Sequence, residues 1–347
     1  WASATSCGSP DMTDIVSAPR GKRRYRNGNL VRYNCCSAFF MKDGIVHMNR
    51  LKGIVMITIG SIFWGATGPM MEWMLHHIKM TPEFMLSVRL IIAGVIILSM
   101  LSWKKQNVWK IWHDKSWSIQ LIIFSVVGMV GLQYTFVKTI EVSNAIMATL
   151  LQFLAPIFII LYLSVIVKKV PPKAQIVGMV GTLIGLFLLL TNGSFSSIEV
   201  SGLTLIWGLA LSFTYAFYTL YPARIQQEWG VLLIIGWGMI ISGLLFAFKA
   251  QFWATDEWIL LLDLPVVIVM LSLVVLGSGA FILFLSSMKY ISPVETSVLS
   301  SIEPLTAMVI SAVWLQAFLK EWQLVGAFIM LIFVVYLSIA GEGKKQR

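Results

Sequence analysis

Charged residues are scarce in this chain of 347 residues, of which they form only 12%. Soluble domains carry roughly 25% charged residues, so this chain has too few to cover a water-facing surface of its size. Hydrophobic residues instead form 58% of the chain. This balance excludes an ordinary soluble globular protein and predicts an integral membrane protein.

Cysteine and metal-binding patterns are also rare. The three cysteines, Cys7, Cys35 and Cys36, all precede the first long apolar run, so none can bridge or hold a metal within the apolar part. The pair His76-His77 has no further ligand nearby, and neither an HExxH zinc signature nor a GxSxG nucleophile elbow occurs. We therefore expect no metal site, no cofactor and no enzyme activity.

The first 47 residues differ from the rest of the chain. They contain the basic run Arg20–Arg26 and lack the apolar core of 7–15 residues that a signal peptide needs. We interpret residues 1–47 as a basic, disordered tail that either touches anionic lipid or precedes a natural start at Met48. The net charge is +10, but after residue 47 the basic residues are scattered in short loops between apolar runs, which indicates membrane topology rather than nucleic-acid binding.

After Met48 the sequence consists mainly of apolar runs of about 20 residues, the length that a helix needs to cross a membrane. The runs are too long and alternate too little for an outer-membrane barrel. They predict an all-α integral membrane protein with ten transmembrane helices, at Leu51–Met74, Phe84–Ser102, Ser118–Lys138, Asn144–Val167, Ala174–Thr191, Gly202–Tyr221, Val231–Lys249, Leu264–Met288, Pro293–Leu315 and Trp322–Ala340.

The loops between these spans differ in charge. One side collects fourteen lysines and arginines, namely Arg50, Lys52, Lys104, Lys105, Lys110, Lys115, Lys168, Lys169, Lys173, Arg224, Lys289, Lys344, Lys345 and Arg347. The other side has four, namely Lys79, Lys138, Lys249 and Lys320. Because cytoplasmic loops are enriched in basic residues, this bias predicts a plasma (inner) membrane protein with both termini in the cytoplasm.

Two segments of the chain repeat each other. Pro156 and Pro304 are each followed 19 positions later by glutamine, Gln175 and Gln323, and both pairs differ by 148 residues (304 − 156 and 323 − 175). The offset predicts two five-helix repeats, 48–192 and 200–341, before a basic tail at 342–347. Because five is odd, the second repeat must be inverted in the membrane. In many secondary transporters inverted repeats meet around a central site.

Several short motifs carry a family resemblance. The first span contains Phe63-Trp64-Gly65, the second contains Arg89-Leu90-Ile91-Ile92-Ala93, and Leu319-Lys320-Glu321 opens the tenth. With the alanine- and serine-rich approach to each proline, these motifs resemble the EamA family of the drug/metabolite transporter superfamily. The resemblance covers residues 48–341. One departure is Lys173, where the first half would often carry the acidic residue that Glu321 supplies in the second.

The resemblance implies a ten-helix carrier for small metabolites, amino acids or related compounds, or drugs. It does not identify one substrate, because members of one fold carry different cargo.

The two repeated prolines suggest a central pocket. A proline inside a helix removes the hydrogen bond to the carbonyl four residues earlier, here those of Gln152 and Ser300. Free carbonyls at membrane depth persist only where they face protein or a wet cavity. We expect helix kinks at Pro156 and Pro304 to bend the fourth and ninth helices around a shared pocket. The alternative is an ordinary packing kink.

Glu303 is the second indication of such a pocket. It lies about ten residues into its span, where a charge costs at least ~2.5 kcal/mol, and its repeat counterpart is Ala155. We expect Glu303 to couple transport to proton binding and release. The alternative is a neutral, hydrogen-bonded structural role.

Other polar and aromatic residues within the spans complete the expected substrate pathway. Its members are Trp64, Gln133, Tyr134, Asn144, Gln152, Tyr215, Thr296, Ser300 and Glu303. For the aromatic members, simple packing is the alternative. Arg89 is expected to reach the interface, to pair with Glu72 or to neutralise an anionic substrate.

These observations favour a secondary transporter that works by alternating access, with a small-molecule substrate and membrane lipid as partners and no nucleic acid. A membrane-embedded enzyme or lipid-handling protein is the main alternative, and it would need polar catalytic side chains clustered at one depth. A channel would need a ring of identical filter residues, which the sequence does not show.

Overall fold

The computed structural model describes residues 31–168, 170–193, 201–287, 290–291 and 299–342. By its internal contacts the chain divides into two units, Trp1–His47 and Met48–Arg347, and every contact discussed below lies within the second. All regular structure of the described residues is helical. The all-α prediction is therefore confirmed for this part of the chain.

Twelve α-helices are numbered here along the described residues. They are α1 Val31–His76, α2 Pro82–Trp103, α3 Lys115–Val142, α4 Ala145–Gln152, α5 Ala155–Val167, α6 Lys173–Thr191, α7 Gly202–Leu220, α8 Ala223–Trp229, α9 Val231–Lys249, α10 Leu264–Ser287, α11 Ile302–Trp314 and α12 Glu321–Glu342. Within α3, the segment Phe124–Val130 is π-helical. Residues 31–47, which we expected to be disordered, are helical here.

In the part of the chain that the structure describes, eight helical segments are long and apolar enough to cross a membrane. They are Arg50–His76, Pro82–Trp103, Lys115–Val142, Ala145–Ile166, Lys173–Thr191, Gly202–Leu220, Val231–Lys249 and Leu264–Phe284. They correspond to the first eight predicted spans. Ile302–Trp314 and Glu321–Tyr336 are shorter apolar helices at the predicted ninth and tenth spans. Residues 292–298, which include the predicted start of the ninth span, lie outside the described residues.

The fourth predicted span is broken rather than kinked. α4 ends at Gln152, and the amides of Phe153 and Leu154 form a tight turn by donating to carbonyls three residues earlier at 3.1 and 3.0 Å. α5 then begins at Ala155, so that Pro156 lies in its first turn. Proline suits this position because the first amides of a helix have no intrahelical acceptor.

The second half of the chain repeats this break. Ser300 is helical, Ser301 forms a turn, and α11 begins at Ile302. Pro304 therefore also lies in the first turn of a new helix. At both prolines where a kink was predicted, the structure has an interruption between two helices.

α6 and α12 touch through their backbones. A Cβ atom on Gly185 of α6 would lie 2.7 Å from the carbonyl oxygen of Gly326 in α12, and a Cβ on Gly326 would lie 2.6 Å from the carbonyl oxygen of Gly185. Such close contact between small residues is typical of membrane helices. It joins the last helix of the first half to the last helix of the second.

Gly185→Ala is expected to destabilise the protein, because its methyl group would lie 2.5 Å from the amide nitrogen of Met330. Overpacking of this kind costs about 1–3 kcal/mol. The melting temperature of the detergent-solubilised protein should fall. Gly202→Ala is the matched control, because a Cβ on Gly202 meets no atom within 4 Å. Equal melting temperatures for the two variants would contradict the contact.

α2 and α9 form a second close pair between the halves. A Cβ on Gly94 would lie 2.9 Å from the amide nitrogen of Ile240, and a Cβ on Gly243 would lie 2.9 Å from the amide nitrogen of Ile91. Because a lower residue number in α2 meets a higher number in α9, the two helices run antiparallel.

Candidate functional site

One small pocket gathers polar and aromatic side chains from both halves of the chain. Four of its helices, α1 to α4, belong to the first half, and three, α7, α10 and α11, belong to the second. The lining residues are Trp64, Thr67, Met71, Arg89, Leu132, Gln133, Phe136, Gln152, Tyr215, Phe281 and Glu303. Five predicted pathway residues thus meet here, together with Arg89.

The pocket is narrow in this conformation. The space that the centre of a water molecule can occupy is about 20 Å³, and one water requires about 10–15 Å³. The pocket therefore holds little more than one water molecule. A metabolite can enter only if the surrounding helices move.

A hydrogen bond between the two broken helices crosses the pocket. Nε2 of Gln152, the last residue of α4, donates to Oε1 of Glu303, in the first turn of α11, at 3.2 Å. The two side chains are 6% and 3% exposed. Because the start of a helix favours negative charge, α11 helps to stabilise the carboxylate of Glu303. The bond links the first half of the chain to the second.

Arg89 lies in the pocket wall without a carboxylate partner among the described residues. Its Nη1 donates to the thioether sulfur of Met71 at 3.7 Å. Glu72, the partner considered from the sequence, accepts instead from the backbone amide of Ala145 at 2.8 Å. The structure therefore does not bring Glu72 and Arg89 together.

Aromatic rings form the apolar wall of the pocket. Trp64 packs edge-on against Phe281, with ring centroids 4.7 Å apart, and also against Phe284 at 5.3 Å. Thr67 and Met71 follow Trp64 on the same face of α1, at three- and four-residue steps. The sequence analysis missed both, although this helical spacing from Trp64 was a usable signal.

Gln133 and Tyr134 are neighbours in the sequence but point to different places, because adjacent helical residues do not share a face. Gln133 lines the pocket. The hydroxyl of Tyr134 donates to Glu83 at 3.1 Å and accepts from Lys249 at 2.6 Å. Lys249 also pairs with Glu83 at 2.9 Å and lies 4.1 Å from the centre of the tyrosine ring. We call Tyr134, Glu83 and Lys249 the Tyr134 cluster.

Three other predicted pathway residues are not among the pocket-lining residues. Asn144 caps α4, because its side chain accepts from the amide of Met147 at 2.8 Å. Ser300 is 8% exposed at the end of the helix before Ser301. Thr296 lies outside the described residues.

The regular structure of the described residues is all helical and includes eight segments able to cross a membrane, with a pocket of polar and aromatic side chains between helices, so the protein is a multi-pass membrane protein. The sequence profile of the EamA-like transporter family matches residues 51–191 and again residues 202–339. The chain therefore belongs to the EamA-like transporter family and is a membrane transporter with two EamA units. The family resemblance found in the sequence is confirmed.

Bacterial transporters align with this chain over nearly their whole length. The "uncharacterized inner membrane transporter YicL" of Salmonella typhimurium is 31% identical over 291 residues, covering 83% of this chain and 95% of that protein. The "uncharacterized transporter YyaM" of Bacillus subtilis is 23% identical over 305 residues, covering 84% and 95%. A solved crystal structure of 13% identity shares the fold, with a TM-score of 0.52 over 84% of this chain and 97% of that one.

Proposed function

We propose that this protein is a secondary carrier that moves a small organic compound across the plasma (inner) membrane by alternating access. Amino acids, related metabolites and drugs are the expected classes of cargo. The observation that carries the proposal is the Gln152–Glu303 hydrogen bond, which joins the two halves inside a pocket too narrow for a metabolite. A contact between the two halves that narrows their shared pocket suits alternating access, because cargo must meet only one side of the membrane at a time.

The proposed architecture is ten transmembrane helices in two inverted five-helix repeats. The 148-residue offset and the two family matches support the duplication. Two helix pairs support the inversion: α2 with α9 and α6 with α12 join the second span to the seventh and the fifth to the tenth. Counterparts related by a two-fold axis in the membrane plane have opposite directions, and α2 and α9 run antiparallel.

Topology reporters test this architecture. A reporter fused after Gly343 is expected to read cytoplasmic, and one fused near Ser197 is expected to read external, because of the fourteen-to-four distribution of basic residues. A fusion at Met48 serves as a second cytoplasmic reference. A cytoplasmic signal from Ser197 would overturn the inverted-repeat arrangement.

We propose that the Tyr134 cluster closes the pocket toward the predicted outer side of the membrane. Tyr134 on α3 contacts both Glu83 on α2 and Lys249 on α9, so it ties one pocket helix to the α2–α9 pair. Lys249 is 53% exposed in its side chain. Partly exposed ion pairs contribute only about 0–1 kcal/mol. The cluster can therefore separate when α3 moves away and opens the pocket.

Proton coupling is assigned to Glu303. Its described hydrogen-bond partner is the neutral amide of Gln152, so the carboxyl group is not committed to an ion pair. The same site can thus hold either the protonated or the charged form as its exposure to water changes.

Metabolite profiles and counterflow together test the proposal. Profiles of a deletion strain and an overexpressing strain identify a candidate compound. Purified full-length protein in proteoliposomes should then show saturable counterflow of that compound. Flux without saturation or counterflow would indicate a channel, and chemical conversion without flux would indicate a membrane-embedded enzyme.

A further inference from the structure

Arg89 is a buried cation that has no counter-ion among the residues that the structure describes. Its side chain is 3% exposed, and its hydrogen bond among the described residues is the one to the sulfur of Met71. A thioether is a weak, uncharged acceptor. The ion pairs found in the described part of the chain, Lys138–Glu141 and Lys249–Glu83, do not include it.

Such a cation is costly within a membrane. A guanidinium group keeps its proton in proteins, and an unpaired arginine at membrane depth is unfavourable because the hydrocarbon does not solvate its charge. Residues of this kind usually face a cavity and mark a functional site. An anion that enters the pocket would supply the missing partner.

The surroundings of Arg89 accommodate its head group closely. A Cβ on Gly277 of α10 would lie 2.8 Å from Nη2 and 3.2 Å from Nε of Arg89. The absence of a side chain at Gly277 therefore leaves space for the guanidinium group. The remaining wall includes the rings of Trp64 and Phe281, which suit an apolar body.

We propose that Arg89 binds the carboxylate of the transported compound, so that the cargo is a small organic acid with an apolar body. Guanidinium and carboxylate groups match through two parallel hydrogen bonds, and this geometry makes arginine the preferred partner for such anions. The proposal rests on the transport function proposed above. Glu303 lines the same pocket and would pair with an ammonium group, if the acid carries one.

Four probes of similar shape test the proposal on the full chain in detergent. Phenylacetate carries a carboxylate, phenylacetamide carries no charge, phenethylamine carries an ammonium group, and phenylalanine carries both. Calorimetric titration should give binding of phenylacetate and phenylalanine and no binding of phenylacetamide. Comparing the two acids shows whether the ammonium group adds affinity.

Variants link the preference for carboxylates to Arg89. Arg89→Gln should raise the Kd of both acids by about tenfold or more, as expected for loss of a charged hydrogen-bonding partner. Arg224→Gln, which removes an exposed arginine on α8, should leave the Kd unchanged. If Arg89→Gln does not fold, Gly277→Ala retains Arg89 but crowds its head group, and it should also reduce the preference for acids.

Three results would overturn the proposal: equal affinity for phenylacetate and phenylacetamide, no binding of either acid, or an unchanged acid preference in folded Arg89→Gln or Gly277→Ala. Counterflow separates this failure from failure of the carrier function. Arg89-dependent binding of acids without counterflow would refute the carrier and retain the anion site. Counterflow that is insensitive to Arg89→Gln would retain the carrier and refute the anion site.

Discussion

Glu303→Gln is expected to abolish uphill transport driven by a pH gradient while the protein still folds and exchanges substrate across the membrane. Glutamine has the shape of protonated glutamate but cannot release a proton. Its amide oxygen can still accept the hydrogen bond that Gln152 donates at 3.2 Å. The contact between the two halves is therefore retained, and the proton-binding step is removed.

The measurement compares two assays on the same proteoliposomes. Uphill accumulation under an imposed pH gradient should fall to background, whereas counterflow at equal pH should persist. Glu72→Gln is the matched control, because Glu72 is also buried and a glutamine there can still accept from the amide of Ala145. Uphill transport by Glu303→Gln at the wild-type rate and pH dependence would mean that Glu303 is not the coupling site and has a structural role.

Helix positions were largely predictable because a membrane sets the length of an apolar helix. The predicted span Val231–Lys249 coincides with α9, and the predicted span Ala174–Thr191 starts one residue after α6 does. The break after Gln152 was not predictable in this form, because Phe153 and Leu154 are as apolar as their neighbours. The π-helical segment Phe124–Val130 likewise lies in an uninterrupted apolar run and leaves no hydropathy signal.

The polar residues of the pocket were predictable because polar side chains are unfavourable within apolar spans. Gln133, Gln152 and Glu303 stand out in apolar spans because a buried polar group needs a partner or a function, and all three line the pocket. Phe281 also lines it, yet an aromatic residue in a membrane helix gives no distinct signal. The structure was needed to show that Arg89 has no carboxylate partner among the described residues, because the sequence made Glu72 an equally reasonable partner.

A cysteine at position 152 is expected to react with a small water-soluble thiol reagent during transport and to be protected by the transported compound. The test uses a background in which Cys7, Cys35 and Cys36 are replaced by serine. Gln152 lines the pocket, so the cysteine becomes accessible whenever the pocket opens. With the compound at ten times its Kd, about one carrier in eleven is unoccupied, so labelling should slow about tenfold.

Leu150→Cys is the matched control, because Leu150 lies on the same helix, is 0% exposed and packs in an apolar cluster away from the pocket. Ser300, the repeat counterpart of Gln152 (300 − 152 = 148), does not line the pocket in this conformation. Inverted repeats exchange conformations during transport, so Ser300→Cys should become reactive only when access switches sides. Inert cysteines at both positions in an active variant would mean that the two helix breaks serve packing alone.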